Sequence, residues 1–139
     1  MNTLVINTDG GSRSNPGQAA VGVVLSMGDI RQTHGRCLGI ATNNVAEYTA
    51  VLDAIGLVPA FTEANGLPDR IEFRLDSQLV ERQLAGIYKI KEPALKELAA
   101  RAKEALASLT VPYGFTYVPR AQNKLADSLV NEALDNRPA

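Results

Sequence analysis

Apolar residues in the first third of the chain occur in short runs separated by glycine and polar residues, as in strands. Val, Ile and Leu are frequent in these runs, and Val and Ile favour a pleated surface. We predict strands at residues 2–8, 18–26 and about 30–39. Residues 27–29 between the last two form a short stretch of the kind that closes a hairpin. The chain is therefore expected to begin with antiparallel strands.

The rest of the chain shows helical spacing that alternates with short apolar runs. Apolar residues recur every three or four positions over residues 42–58, which predicts a helix that Pro59 kinks or restarts. The later predicted elements are a strand at 70–75, a helix at 77–85, a helix at 93–109, a strand at 113–119 and a helix at 121–134. This order predicts an α/β fold with a five-stranded mixed sheet, three antiparallel strands followed by parallel ones, flanked by helices.

Composition narrows the class of protein. The 139 residues are 45% apolar and 21% charged, which is ordinary for a globular protein, and we expect one domain over residues 1–139. No signal peptide is expected, and no uninterrupted apolar run approaches the roughly 18 residues of a membrane span. A single cysteine, Cys37, excludes an internal disulfide and a cysteine-based zinc site. We expect a cytoplasmic protein with no membrane partner. The net charge of −1 argues mildly against nucleic acid as a partner.

Four acidic residues stand at the ends of predicted elements beside apolar positions. Asp9 and Asp76 follow two of the predicted strands, and Glu47 and Asp127 lie near the start of two predicted helices. Ligands of α/β sheets bind at the C-terminal ends of parallel strands, so these acids are candidates for one cluster. Clustered carboxylates repel each other unless a cation neutralises them, and Mg²⁺ and Mn²⁺ prefer such oxygen ligands.

Each of these acids also has a purely structural interpretation. Asp9 and Asp76 are typical turn residues, and Asp76 is also a candidate N-cap for the helix that follows it. Glu47 stands three residues after Asn44, as in a capping box. Asp127 falls in the first turn of a predicted helix, where the helix dipole favours an acid. Position alone does not decide between the two interpretations.

The chain resembles the type 1 ribonucleases H through four motifs that occur in the family's order. They are TDGGSRSNPG at 8–17, TNNVAEY at 42–48, LDSQLV at 75–80 and NKLAD at 123–127. In this resemblance Asp9, Glu47, Asp76 and Asp127 match the family's four catalytic, metal-binding acids. The likeness extends over nearly the whole chain. It implies a ribonuclease H-like fold and hydrolysis of the RNA strand of RNA–DNA hybrids.

The resemblance also implies a cofactor and a role for each acid. Two Mg²⁺ or Mn²⁺ ions would bind, with Asp9 bridging both. Glu47 and Asp76 would hold the ion on the leaving-group side, and Asp127 the ion that activates water. The products would carry a 5′-phosphate and a 3′-hydroxyl.

Further polar residues match the family's contacts with the hybrid. Amides both donate and accept hydrogen bonds, as does the 2′-hydroxyl that distinguishes RNA from DNA. The residues implied to bind substrate are Gly10, Gly11, Ser12, Asn15, Thr42, Asn43, Asn44, Gln78, Arg120 and Asn123. Thr42 would hold a DNA-strand phosphate, and Asn123 would orient the scissile region. The alternative for Thr42, Asn43 and Asn44 is that they only cap the helix.

The chain departs from the family pattern at three places. The stretch VPRAQNKLAD carries no histidine before the last acid, and the only histidine, His34, falls in a predicted strand. The basic, tryptophan-bearing handle of the best-known members is reduced to GIYKIKEP at 86–93. Its lysines and tyrosine are expected to form a small basic patch or a solvated connection. Gly11 stands where several relatives have serine, which matters little if the backbone makes the contact.

Two other functions are compatible with such a fold. One is an inactive module that binds hybrid without cutting it, and the presence of all four acids argues against this. The other is a phosphotransferase whose Asp-Gly loop binds a nucleotide, which would require a second phosphate-binding glycine loop that the sequence lacks. No obligate protein partner is evident.

Overall fold

A computed structural model describes residues 2–137 and contains a five-stranded sheet with helices on both faces. The strands are β1 Thr3–Ser12, β2 Gly17–Met27, β3 Ile30–Ala41, β4 Arg70–Leu75 and β5 Tyr113–Tyr117. The helices are α1 Asn43–Asn65, α2 Gln78–Leu84, α3 Pro93–Ala107 and α4 Lys124–Asp135, with a single 3₁₀ turn at Arg120–Gln122. Each predicted element is present, but β1 and α1 extend beyond their predicted ends, and the last predicted helix is divided into the 3₁₀ turn and α4.

The strand order is β3-β2-β1-β4-β5, and the sheet is mixed. The pairs β3–β2 and β2–β1 are antiparallel, whereas β1–β4 and β4–β5 are parallel. This confirms the predicted ribonuclease H-like sheet of three antiparallel strands followed by parallel ones. The parallel connections require crossovers, which α1, α2 and α3 supply.

The main core lies on the sheet face covered by α1 and α3. Alternate residues of β1 and β4 point to that face because strand side chains alternate. Fully buried members include Ile6 of β1, Phe73 of β4, and Tyr48 and Phe61 of α1. On the opposite face α4 packs over β2, where Ala20, Val130 and Leu134 form a smaller cluster. The two layers bring the starts of α1 and α4 to opposite sides of the central strand β1.

The strand β1 is longer than predicted, which changes the setting of Asp9. Its parallel pairing with β4 ends at Thr8, opposite Leu75. Its antiparallel pairing with β2 continues through Asp9, opposite Gly22, as far as Ser12. Asp9 therefore lies inside the strand and not in a turn after it. Because β4 has ended at that level, the backbone at Asp9 is free of a neighbour on one side.

The helix α1 runs through Pro59 to Asn65, so it continues beyond the predicted end at Val58 and does not restart at Pro59. A proline inside a helix removes one backbone hydrogen bond and costs about 3 kcal/mol. Val58 and Phe61, on either side of it, are buried in the main core, and that burial offsets the loss. The helix ends at Gly66, whose φ of 96° few other residues adopt and whose N–H donates to the Thr62 carbonyl.

By length and composition alone, α1 is apolar enough to cross a membrane, contrary to the expectation that no such segment exists. Half of the most apolar stretch is buried inside the fold. Ala46, Val51, Ala54 and Ile55 of this helix contact the sheet or α3 and have at most 3% of their surface exposed. A helix at the centre of a core needs many apolar residues, and the burial of α1 inside the fold accounts for its apolar composition.

Candidate active site

Three of the four predicted acids meet at the end of the β1–β4 pairing. One carboxylate oxygen from each of Asp9, Glu47 and Asp76 lies within 4.8 Å of the others. Asp76 directly follows Leu75, the parallel partner of Thr8, so the strand ends bring Asp76 next to Asp9. Glu47 comes from the first turns of α1, on the face that packs against β1. The predicted cluster is therefore present for these three acids.

Asp127 reaches the same cleft from the other face of the sheet. It lies in the first turn of α4, where its backbone N–H donates to the Asn123 carbonyl over 3.1 Å. Its carboxylate is close enough to Asp9 to affect that group through charge and through a hydrogen bond. Asp9 is thus the central acid, with Glu47 and Asp76 on one side and Asp127 on the other.

Two glycines allow the helices to approach the strands that carry this cluster. A Cβ atom at Gly10 would lie 2.2 Å from the backbone carbonyl of Ala46, the residue before Glu47. A Cβ atom at Gly22 would lie 2.2 Å from the carbonyl oxygen of Ala126, the residue before Asp127. Neither position tolerates a side chain without movement of a helix backbone. Gly22 was not among the predicted site residues, and only its place opposite Asp9 reveals its role.

The clustering raises the pKa of the two most buried acids. Burial and the negative charge of Asp76 raise the pKa of Asp9 from 3.8 to about 8. Burial, followed by the charges of Asp9 and Asp76, holds the pKa of Glu47 well above its usual value. Without a cation the cluster cannot be fully ionised at neutral pH.

The donor set fits a divalent metal ion. The Oε2 atom of Glu47 is buried and has no hydrogen-bond partner in the described part of the chain. A buried oxygen without a partner is costly unless a ligand satisfies it. Carboxylate oxygens are the ligands that hard cations such as Mg²⁺ and Mn²⁺ prefer. Bound cations would also remove the repulsion that raises the pKa of Asp9.

The raised pKa of Asp9 predicts an unusual pH dependence of stability. Because the folded protein binds this proton more tightly than the unfolded chain, the proton stabilises the fold below pH 3.8, and that stabilisation is lost as the pH rises through about 8. We expect the thermal midpoint in EDTA to fall between about pH 5 and about pH 8. Excess Mg²⁺ or Mn²⁺ should abolish most of the fall. A midpoint in EDTA that rises over this range would contradict the prediction.

The loop between β1 and β2 is tied to the start of α1. The Oδ1 atom of Asn43 accepts from the Ser12 N–H over 2.8 Å, and that of Asn15 accepts from the Asn43 N–H over 3.0 Å. Thr42 caps the helix through its hydroxyl, which accepts from the Val45 N–H over 3.2 Å. In residues 2–137 the NH₂ groups of Asn15 and Asn43 have no protein partner, so both can still donate to a ligand.

Several structural interpretations of the acids are wrong. The cap of α1 is Thr42, so Glu47 and Asn44 do not form a capping box. The cap of α2 is Ser77, whose hydroxyl accepts from the Val80 N–H over 3.3 Å, so Asp76 is free of that task. Neither Glu47 nor Asp76 is therefore needed to cap a helix, and both face the cleft.

The cleft has a volume of about 420 Å³ and contains most of the predicted substrate residues. Besides the four acids, its lining is Gly10, Gly11, Ser12, Arg13, Asn43, Asn44, Ser77, Arg120, Val130, Asn131 and Leu134. The predicted residues Asn15, Thr42 and Gln78 lie outside this lining, with Asn15 and Gln78 exposed and Thr42 half-buried. Arg13 also lines the cleft, although it was not among the predicted substrate residues. It belongs to the first motif, TDGGSRSNPG.

Asn123 does not have the role expected of it. Its side chain is buried, with 2% of the residue exposed. Its Nδ2 donates to the Thr8 carbonyl over 2.8 Å, and its Oδ1 accepts from Asn7 Nδ2 over 3.0 Å. A side chain with both ends engaged in the interior cannot contact the substrate directly. Asn123 instead joins the start of α4, which carries Asp127, to the strand residue before Asp9.

The remaining departures from the family pattern lie away from the acids. His34 is on β3, and its Nε2 is 3.0 Å from the Asp53 carboxylate, so the histidine is outside the cleft. The segment 86–93 connects α2 to α3 and exposes Tyr88. The buried Gln83 donates to the Lys89 carbonyl over 3.4 Å and accepts from the Tyr48 hydroxyl over 2.7 Å. The small basic patch predicted there stays a prediction.

Comparisons with known proteins agree with this geometry. The family model described as "Reverse transcriptase-like" matches residues 7–133. Ribonuclease HI of Halobacterium salinarum is 48% identical over 130 residues, which cover 92% of this chain and 62% of that protein. A bifunctional protein of Mycobacterium tuberculosis is 41% identical over 139 residues, which cover 95% of this chain and 35% of that protein. The chain thus spans about three fifths of the length of the Halobacterium protein and about a third of the length of the Mycobacterium protein.

Solved structures show the same fold over almost the whole chain. The crystal structure of RNase H1 from Halobacterium salinarum has a TM-score of 0.88 and 45% identity, with 97% of this chain and 99% of that chain covered. LC11-RNase H1, solved in complex with an RNA/DNA hybrid, has a TM-score of 0.88 and 39% identity, with 95% of this chain and 96% of that chain covered. Both similarities extend over at least 95% of this chain.

Proposed function

Because the chain belongs to the type 1 ribonuclease H family, we propose that it is an endonuclease that hydrolyses the RNA strand of RNA–DNA hybrids. The single observation that carries the proposal is the cluster of Asp9, Glu47 and Asp76, whose carboxylate oxygens lie within 4.8 Å of one another. Asp127 completes the family's set of four in the same cleft. The similarity to an RNase H1 solved with an RNA/DNA hybrid supports the choice of substrate.

We propose that the cleft uses two Mg²⁺ or Mn²⁺ ions. When bound, such ions lower the pKa of a nucleophilic water and neutralise the charge that develops on the leaving oxygen. Asp9 lies between the other acids and would contribute to both sites. Glu47 and Asp76 would hold the leaving-group side, and Asp127 would hold the side of the attacking water. The water oxygen would form the new bond to phosphorus as the P–O3′ bond breaks, which would leave a 5′-phosphate and, once the leaving oxygen takes up a proton, a 3′-hydroxyl.

The chain's own residues would position the hybrid. The glycines at positions 10 and 11 keep the strand free of side chains beside the acids, so an RNA backbone can approach closely. The amides of Asn43 and Asn44 line the same cleft and can donate to the 2′-hydroxyls of the RNA strand. Ser12 lines it as well, but its N–H already donates to Asn43 and its hydroxyl to the Ser14 carbonyl, so its hydroxyl oxygen would serve as an acceptor. Arg120 offers a guanidinium group, which is suited to binding a phosphate but not to proton transfer. The role in proton transfer or product release that the resemblance gives to a loop histidine in many members has no assigned residue in this chain.

Two more predicted contacts lie beside the cleft and would reach a ligand longer than it. Thr42 is at the N-terminus of α1, where backbone N–H groups favour a DNA-strand phosphate. Gln78 is exposed in the first turn of α2, next to Ser77 of the cleft lining. We also propose that the protein acts in the cytoplasm, which its free thiol at Cys37 suits.

The test is cleavage of a short, end-labelled RNA–DNA hybrid in the presence of Mg²⁺, Mn²⁺ or EDTA. Single-stranded RNA, duplex RNA and duplex DNA of the same sequence serve as controls. We expect metal-dependent cutting of the RNA strand of the hybrid alone, with a phosphate at each new 5′ end. Tight binding of the hybrid without cutting in either metal would instead support an inactive binding module, the alternative that the complete set of acids disfavours.

A further inference from the structure

The lining of the cleft contains two cations within the part of the chain that the structure describes, and they lie at different levels of α4. Arg120 belongs to the 3₁₀ turn that precedes the helix. Arg13 extends from the loop after β1 to the middle of α4, where its Nη2 is 3.4 Å from the Asn131 carbonyl oxygen. Asn131 is four residues beyond Asp127, which corresponds to about 6 Å along a helix. The two arginines therefore flank Asp127 along the helix axis.

We propose that Arg13 is a substrate-binding residue that contacts a phosphate of the RNA strand next to the scissile one. This inference rests on the proposed function, because the ligand is the same hybrid. A nucleic-acid strand carries one phosphate about every 3.4 Å along the duplex axis, so a strand that crosses Asp127 brings another phosphate within reach of Arg13. A guanidinium group binds phosphate oxygens in a forked geometry that suits this contact.

The phosphates of the strand need cations other than the metal ions. Two divalent ions would balance only the charge of the four carboxylates, so the phosphates that enter the cleft would depend on the chain's own cations. The backbone N–H of Arg13 donates to the Gln18 carbonyl over 3.0 Å, which holds the loop in a turn beside the cleft. The side chain is 48% exposed, so it can move without unpacking the core. The backbone of Arg13 is therefore held in place, whereas its guanidinium group can change position.

Asp135 occupies the place of the phosphate when no nucleic acid is bound. Its Oδ1 lies 2.6 Å from Arg13 Nη2, and its side chain is 63% exposed. An ion pair between exposed side chains contributes little, so a phosphate can replace Asp135 at small cost. Asp135 therefore competes with the substrate for Arg13.

Because Asp135 competes with the substrate, variants of the two residues can show whether Arg13 binds phosphate or only holds the loop. If the Arg13–Asp135 pair only attached the loop to α4, removal of either partner would have the same effect. If Arg13 binds phosphate, Arg13→Ala weakens hybrid binding and Asp135→Asn strengthens it. In the Arg13→Ala background, Asp135→Asn should then have little effect, which excludes a general effect of surface charge.

The experiment measures the affinity of the full chain for a short RNA–DNA hybrid by fluorescence anisotropy at several KCl concentrations with Mg²⁺. Every protein carries Asp9→Asn so that the hybrid stays intact. We expect Arg13→Ala to weaken binding about threefold to tenfold and to reduce the slope of log affinity against log salt by about 1. Asp135→Asn should tighten binding by up to about fivefold.

Arg101→Ala is the matched control. Arg101 also pairs with an exposed acid, Glu97, over 2.8 Å, but it lies on α3 away from the cleft. Its replacement should leave affinity and salt slope close to those of the parent. If Arg13→Ala and Arg101→Ala behave alike, or if Arg13→Ala and Asp135→Asn weaken binding equally, Arg13 does not bind a phosphate. Either result would leave the proposed function standing. If the parent protein fails to bind the hybrid at all, the proposed function falls with it.

Discussion

Replacement of Asp9 by Asn should reduce hybrid cleavage by about a thousandfold or more and at the same time stabilise the metal-free protein. Metal ions contribute several kcal/mol to stabilisation of the transition state, and Asp9 is the acid placed to contact both. The same substitution removes a carboxyl group that must take up a proton when the metal-free chain folds, since burial and the charge of Asp76 raise the pKa of Asp9 to about 8. We expect a gain of about 1–3 kcal/mol in the free energy of unfolding in EDTA near neutral pH.

The measurement pairs single-turnover cleavage rates with urea unfolding in EDTA. Asp53→Asn is the control, because Asp53 is an acid of α1 that lies outside the cleft. Burial opposes its ionisation, but hydrogen bonds from Arg36 and His34 hold the pKa of Asp53 below its usual value. Asp53→Asn should lose about 1 kcal/mol of stability and keep the cleavage rate. An Asp9→Asn protein that cuts at the parent rate would show that Asp9 does not bind the metal.

Replacement of Gly10 by Ala should cause a large loss of stability for the addition of a single methyl group. The new Cβ would lie 2.2 Å from the carbonyl of Ala46, and a helix backbone cannot rotate away as a side chain can. The helix α1 must move, which unpacks its contact with β1. We expect a loss of about 3 kcal/mol or more in the free energy of unfolding, at the upper end of what overpacking costs.

Gly11→Ala provides a control one residue away. A Cβ at Gly11 would lie 3.7 Å from Val130 Cγ1, which is an ordinary contact. We expect its stability to change by less than about 1 kcal/mol. Both variants are compared by urea unfolding and by the Mn²⁺ concentration that gives half-maximal cleavage. Because Ala46 precedes Glu47, Gly10→Ala should also raise that concentration in any protein that still folds. Equal stability of the two variants would show that the close approach of α1 to β1 is not tight.

Together these two predictions describe how the site is built. Asp9 lies on the central strand, and each neighbouring acid-bearing helix reaches that strand over a glycine, Gly10 on one face and Gly22 on the other. Asn123 adds a buried link between the start of α4 and the carbonyl of Thr8. The acids are therefore held by rigid elements whose spacing depends on backbone contact, as metal ligands require.

The sequence by itself determined the order of the elements and the identity of the acids. Apolar periodicity is a local signal, and it located the strands and helices to within a few residues over most of the chain. The four acids could be found because each lies in a short local motif, as with Asp76 directly after β4. The resemblance to the ribonucleases H rests on the same short motifs, and the fold comparison confirms it.

Only the tertiary structure decided what depends on contacts between distant residues. The extension of β1 beyond Asp9 results from its pairing with β2, and the passage of α1 through Pro59 results from burial of the residues beside it. Asn123 is internal because α4 packs onto the sheet and brings this residue next to Thr8, which is 115 residues away in sequence. The pairing of Arg13 with Asp135 likewise joins the two ends of the chain. Local patterns contain no information on such approaches, because packing of the helices on the sheet creates them.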